Sequence, residues 1–273
     1  MWLQEHKLFK LLSIVALCGI IMSVTLHNYF FMKQEDIVFL KAAPVAIMIS
    51  LLIGYFFIYE FTIYSSGLTF GMVFCLIGDV LLALYDPSKD DNSSINKTVF
   101  LLIGGVFFLF GRLLFTFIMM VKPYRRLVVI RYSWKLLLIS HLVCVSIFTA
   151  LGLFNAIFNP SLISISTLFY LFLGFGLPMS YAILRLNPML SLNDHESRES
   201  IVAKSFSLVG IVLFNLSDLL LLTVMFTDWL PTYCTLISDD MYWCAMYLLT
   251  ISVVRASKED VERGIIYQPL ANV

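Results

Sequence analysis

Charged side chains are scarce: they make up 13% of the 273 residues, about half the share in a typical soluble domain. The 18 Lys+Arg offset the 18 Asp+Glu, leaving no formal net charge. A nucleic-acid binder is not expected on that balance, since it needs a concentrated basic face to displace counterions. Cysteine is sparse as well. Cys18, Cys75, Cys144, Cys234 and Cys244 are scattered, mostly in apolar runs, with no CxxC pair or metal-ligand spacing. Neither a disulfide framework nor a zinc site is expected. Long polar segments are also missing. The largest connections, Asp86–Thr98, Lys122–Lys135 and Arg185–Lys204, leave no room for a soluble domain.

What the chain has instead is apolar surface. Its hydrophobic fraction is 60% and its mean hydropathy +0.91, more than one soluble core can hide. The pattern predicts a single multi-pass transmembrane domain over residues 1–273, all-α, a bundle of eight helices. A hydrocarbon core of about 30 Å takes roughly 20 apolar residues per helix. Seven spans are clear: Leu8–Leu26, Ile37–Ile58, Leu68–Tyr85, Val99–Val121, Leu136–Phe154, Ser161–Leu184 and Ser205–Phe226. An eighth, Ser238–Val254, is interrupted by Asp239 and Asp240 unless Ser238 is its N-cap and the acids fill its first turn. The first span is read as an uncleaved helix, because no small-residue cleavage site clearly follows it.

Loop charge sets the orientation. With the N-terminus inside, most Lys and Arg fall on the cytoplasmic side, among them Lys7, Lys10, Arg125, Arg126, Arg131, Arg198 and Lys204. Only Lys33, Lys41, Lys89 and Lys97 fall opposite, which favours both termini inside. The acceptor triplets at Asn92 and Asn96 lie in the third loop, on the lumenal side of that topology, and suit an endomembrane such as the endoplasmic reticulum.

Two spans resemble each other. The twelve residues Gly71–Leu82 align without a gap on Gly210–Leu221, an offset of 139 that carries Asp79 onto Asp218. Span three is thereby superposed on span seven, consistent with a parallel four-helix internal repeat. Each Asp lies roughly a dozen residues from the cytoplasmic start of its span, so the two reach similar depth. An Asp at a helix centre costs about 2.5–3.5 kcal/mol and ordinarily faces an interior cavity. Both acids could be structural, each tied to a base or hydroxyl. Matched depth in repeated segments favours function: two carboxyls in one poorly solvated chamber separate into a proton donor and a proton acceptor.

At these residues the chain resembles the lysoplasmalogenase family, the YhhN-like membrane proteins. The family's approximate G-x-x-x-S-x-x-G-D-x-x-L reads here Gly71…Cys75…Gly78-Asp79…Leu82, with Cys75 where Ser is common. Its second signature, G-x-x-x-F-x-x-S-D-x-x-L, reads Gly210…Phe214…Ser217-Asp218…Leu221. Lys41-Ala-Ala-Pro44 resembles a Lys-x-x-Pro at the second span, and Pro178-Met-Ser-Tyr181 a sixth-span proline–tyrosine segment. The likeness runs from about Lys41 to Ser252. There are departures: Arg112 and Phe115 stand where span four usually carries His and Tyr, and Thr250, after Tyr247, replaces a glutamine.

The resemblance implies hydrolysis of the vinyl-ether bond of a lysoplasmalogen, a single-chain ether phospholipid, to a fatty aldehyde and glycerophosphoethanolamine or glycerophosphocholine. Asp79 and Asp218 would be the catalytic pair, without metal or diffusible cofactor. Arg112 is expected inside the bundle, either paired with one of the acids or clamping the lipid phosphate. Lys41 either snorkels or meets the head group. Tyr181 and Tyr247 are packing residues or supports, Asn215 orients Asp218 or bridges helices, and Ser217 is a small contact residue. Two further readings stand beside the hydrolase. Matched acids in repeated helices also serve proton-coupled transporters or lipid carriers, and Arg112 and Thr250 suit a catalytically silent relative.

Overall fold

A computed structural model describes residues 2–33, 38–58, 63–83, 94–121, 198–226 and 233–262, together with 231 and a few isolated helical positions between 139 and 150. Among these residues every regular element is an α-helix. They are α1 Trp2–Met32, α2 Val38–Ile58, α3 Ile63–Ala83, α4 Ser94–Val121, α5 Arg198–Phe226 and α6 Tyr233–Glu262. Of the expected span Leu136–Phe154 only those isolated positions are described, and Ser161–Leu184, with Pro178 and Tyr181, lies outside the described residues.

The apolar stretches Lys10–Met32, Phe39–Phe56 and Ser65–Ala83 are long and apolar enough to cross a membrane. Helices α4 and α5 carry shorter ones, Val99–Phe115 and Ser205–Leu221. Large apolar side chains point outward: Phe39 is 84% exposed, and Met22, Phe70 and Phe110 are exposed too. In water such surfaces would cost free energy, whereas against acyl chains they do not. The molecule is a membrane protein whose described residues form a helical bundle.

Most helices outrun their apolar cores. Helix α1 starts at Trp2 rather than Leu8, and α5 at Arg198 rather than Ser205. Backbone hydrogen bonds continue into the polar flanks because nothing there breaks them. Even Pro44 lies within α2, which continues through it despite the missing N–H donor. Asn96, expected in a loop, is in the first turns of α4.

The start of α6 corrects the reading of Ser238 as an N-cap. The helix begins five residues earlier, at Tyr233, after a turn in which Cys234 N donates to Pro231 O at 2.9 Å. Ser238 and Asp239 are buried inside it. They need no helix end because other helices satisfy them. The Ser238 hydroxyl donates to Ser217 O on α5 (2.7 Å), and Asp239 is ion-paired to Lys41 on α2.

Neighbouring helices pack α1 on α2, α2 on α3, α3 on α4 and α5 on α6, and both α2 and α3 also touch α6. The α3–α4 seam is closely packed. A Cβ on Gly71 would come within 2.3 Å of the Phe115 ring, one on Gly78 within 2.6 Å of Phe108, and one on Gly111 within 2.9 Å of Gly71 O. Residue numbers rise on one side as they fall on the other, so the pair is antiparallel. Small residues bring the two backbones together, as expected where helices meet without a hydrophobic driving force between them. Gly210 does the same for α5 against α6, where an added Cβ would lie 3.1 Å from Ala245 O.

Gly111→Ala should therefore destabilise the protein by about 1–3 kcal/mol, since its Cβ meets Cys75 Sγ at 2.7 Å and a backbone oxygen that cannot yield. Gly54→Ala, with nothing within 4 Å, is the control. Thermal unfolding in detergent compares them, and equal midpoints would show that the seam can relax.

Candidate functional site

Burial of polar groups singles out the middle of the bundle. Asp79, Arg112, Asn215 and Asp218 are all at least nine-tenths buried, on α3, α4 and α5, among residues such as Met72, Phe108, Phe115 and Phe214. Charges survive there only with partners. The glycine seam sets Asp79 and Arg112 on two helices held at close range. Helix α5 presents Asn215 and Asp218, nearly one turn apart, to the Arg112 side.

Arg112 Nη2 donates to Asp218 Oδ2 as an ion pair, and Nη1 donates to Asn215 Oδ1 at 2.7 Å. The Asn215 amide in turn donates to Ile211 O at 2.7 Å, one turn back on its own helix. Asn215 thus bridges helices and fixes the fork of the guanidinium. The guanidinium also lies over the Phe214 ring, 4.3 Å from its centroid, a cation–π contact that compensates part of the lost hydration. Of the two acids, Asp218 is the one paired with Arg112.

Asp79 is held differently. Tyr242 on α6 donates its hydroxyl to Asp79 Oδ2 at 2.8 Å. The Tyr242 ring is buried against Phe108 (centroids 6.0 Å) and Phe214 (5.5 Å). An aromatic column, Tyr242 then Phe214, therefore runs from the partner of one acid to the partner of the other. Asp218 and the Lys41–Asp239 pair all lie within electrostatic reach of Asp79.

Lys41 is neither exposed nor simply snorkelling. Its ammonium is 3.1 Å from Asp239 Oδ1, and His27 Nε2 approaches Asp239 Oδ2 to 3.5 Å. Ser217 is buried, its carbonyl accepting from Ser238. Tyr247 is partly buried and packs against the apolar core. At the positions where the sequence departs from the family pattern, Phe115 packs on Phe214 (6.0 Å), while Thr250 donates to Met246 O (2.9 Å) and meets Met72 Sδ (3.8 Å). Among the described residues, no group of three His, Cys, Asp or Glu side chains is placed to hold a metal ion.

Sequence reasoning missed Tyr242, Asp239 and His27. A signal for the first two existed. Asp239, Tyr242, Trp243, Met246, Leu249 and Val253 are all buried and recur at helical spacing, so one α6 face turns inward and carries an acid and a hydroxyl with it.

No curated protein and no solved structure matches the chain. A family model does match, over residues 37–253, a stretch that takes in Lys41, Asp79, Arg112, Asn215, Asp218 and Tyr242. The chain belongs to the YhhN family, the lysoplasmalogenase-like membrane proteins.

Proposed function

We propose that this protein is a membrane hydrolase that cleaves the vinyl-ether bond of lysoplasmalogens, releasing a fatty aldehyde and glycerophosphoethanolamine or glycerophosphocholine. The observation that carries the reading is the unequal partnering of two buried carboxyls: Asp79 meets a neutral hydroxyl, Asp218 a guanidinium. Asp79 then serves as the acid and Asp218 as the fixed negative charge.

The chemistry follows from that division. With Oδ2 accepting from Tyr242, Asp79 carries its proton on Oδ1 and delivers it to the β-carbon of the vinyl ether. The double-bond electrons form the new C–H bond, and positive charge develops on the adjacent carbon and its ether oxygen. Asp218, held by Arg112 and Asn215, stabilises this oxocarbenium ion without having to reorient. Water adds to the cation and gives its proton to Asp79, which restores the acid. The resulting hemiacetal breaks its C–O bond to the glycerol oxygen. Its hydroxyl proton ends on that oxygen, and the carbon leaves as aldehyde. One water is consumed and no cofactor is required.

The substrate is a single-chain ether phospholipid that enters from the bilayer with its tail among the helices. Lys41 faces its head group, and Ser217 and Tyr247 support the walls. The excess of basic residues in the expected cytoplasmic loops supports both termini on that side, in the endoplasmic reticulum or another endomembrane. The α3–α4 and α5–α6 pairs, each closed by the first glycine of a matching motif, are read as copies of one ancestral unit.

The test is aldehyde release by the purified protein from a lysoplasmalogen, with no ion gradient. Movement of intact lipid without cleavage would support a carrier instead. One observation favours a silent relative: Arg112, where the family usually has His, occupies Asp218. Arg112→His separates the cases. A hydrolase that uses Arg112 to fix Asp218 releases aldehyde no faster after the change. A silent wild type that gains activity would show that Arg112 locks the site.

A further inference from the structure

A second polar cluster sits where α1 ends and α2 begins, against the first third of α6, and the reaction above leaves most of it unused. His27, Trp243 and Asp239 are buried there, at 3%, 2% and 4% exposure. The His27 and Trp243 rings meet edge to face at 5.1 Å. Trp243 Nε1 is buried without a hydrogen-bond partner among the described residues, and His27 Nε2, 3.5 Å from Asp239 Oδ2, makes an ion-pair contact there but no well-formed hydrogen bond. The indole N–H can only donate. Lys41, beside them, adds an ammonium neutralised by Asp239. On the outer side Asn28 donates its amide to the exposed Asp240 carboxylate at 3.2 and 3.4 Å, which leaves Asn28 Oδ1 buried and without a donor.

Unsatisfied donors on one side and acceptors on the other are costly in a protein interior unless a ligand or water completes them. We propose that this cluster binds a phosphoethanolamine head group, its phosphate oxygens on Lys41, Trp243 and His27 and its ammonium on Asp240 and Asn28. Charge favours a zwitterion over free phosphate. The Lys41–Asp239 pair is already neutral, and a head group with both signs enters without adding net charge. Ethanolamine fits better than choline, because only a primary ammonium can donate hydrogen bonds to Asn28 Oδ1 and Asp240. The site also has the right neighbour. Tyr242, three residues beyond Asp239 on α6, donates to Asp79, an offset of about 4.5 Å along the helix. A glycerol unit bridges such a gap from its phosphate to its ether carbon.

The choice of this ligand rests on the hydrolase reading, and the experiment keeps the two apart. Full-length protein in detergent is titrated calorimetrically with glycerophosphoethanolamine, glycerophosphocholine and inorganic phosphate, none of which can be cleaved as a vinyl ether. Wild type should bind glycerophosphoethanolamine most tightly, with Trp243→Phe weakening it about tenfold, as for one lost hydrogen bond to a charged group. Asp240→Asn, at an exposed position, should weaken glycerophosphoethanolamine more than glycerophosphocholine and so narrow the preference between them. Unchanged affinity in folded Trp243→Phe, an undiminished preference in Asp240→Asn, phosphate binding as tight as that of the head group, or no heat with any of the three would each overturn the site. Binding without aldehyde release would overturn the hydrolase alone. Aldehyde release with one KM for wild type and Trp243→Phe would overturn the head-group site alone.

Discussion

Asp79→Asn should lower aldehyde release by about 10²–10⁴-fold, the usual contribution of a positioned acid or base. The substitution preserves shape and leaves an amide oxygen to accept from the Tyr242 hydroxyl, so the 2.8 Å contact and the aromatic packing around it can persist. What is lost is the proton. An amide cannot protonate an alkene carbon, and no other carboxyl takes over, because Asp218 is engaged by Arg112. Purified variant and wild type should unfold at similar temperatures, so that the rate reports chemistry rather than folding. A wild-type rate in the variant would remove Asp79 from the mechanism.

Arg112→Met should destabilise the protein by about 3–5 kcal/mol, because it strands a carboxylate in a dry interior. Asp218→Asn leaves the complementary fault, a guanidinium only 2% exposed whose carboxylate has become an amide. The double variant Arg112→Met with Asp218→Asn should recover most of the loss, since neither charge remains to be desolvated. A double-mutant cycle on detergent-solubilised protein measures this coupling. Additive losses would mean that the two groups are solvated separately. Activity should not return with stability in the double variant, because the negative charge that steadies the cation is gone.

The site was partly legible before the structure. A window of apolar residues marks where a helix crosses hydrocarbon, and Ile37–Ile58 agrees with α2 to within a residue. It does not mark where the helix ends, which is why α1, α5 and α6 all start earlier than their apolar runs. Asp79 and Asp218 stand out because a carboxyl among apolar neighbours needs a reason, and Arg112 for the same cause. Which acid takes the arginine was not legible, since the choice depends on how α4 meets α5. Asp239 and Asp240 look like helix-start residues because their partners are remote: Asn28 and Asp240 are 212 positions apart, and Lys41 is nearly as far from Asp239. Tyr247 drew attention through its place in a family pattern, whereas Tyr242 reaches the acid by lying on the inward face of α6.

The two polar contacts at the centre run crosswise. Tyr242 ties α6 to α3, and Arg112 ties α4 to α5, so each joins one glycine-closed hairpin to the other. Within a hairpin the backbones are too close to slide apart, and the yielding boundary lies between hairpins. A full separation of the two pairs breaks both ties. A parting of the hairpins would free Asp79 from Tyr242 and Asp218 from Arg112 in one movement.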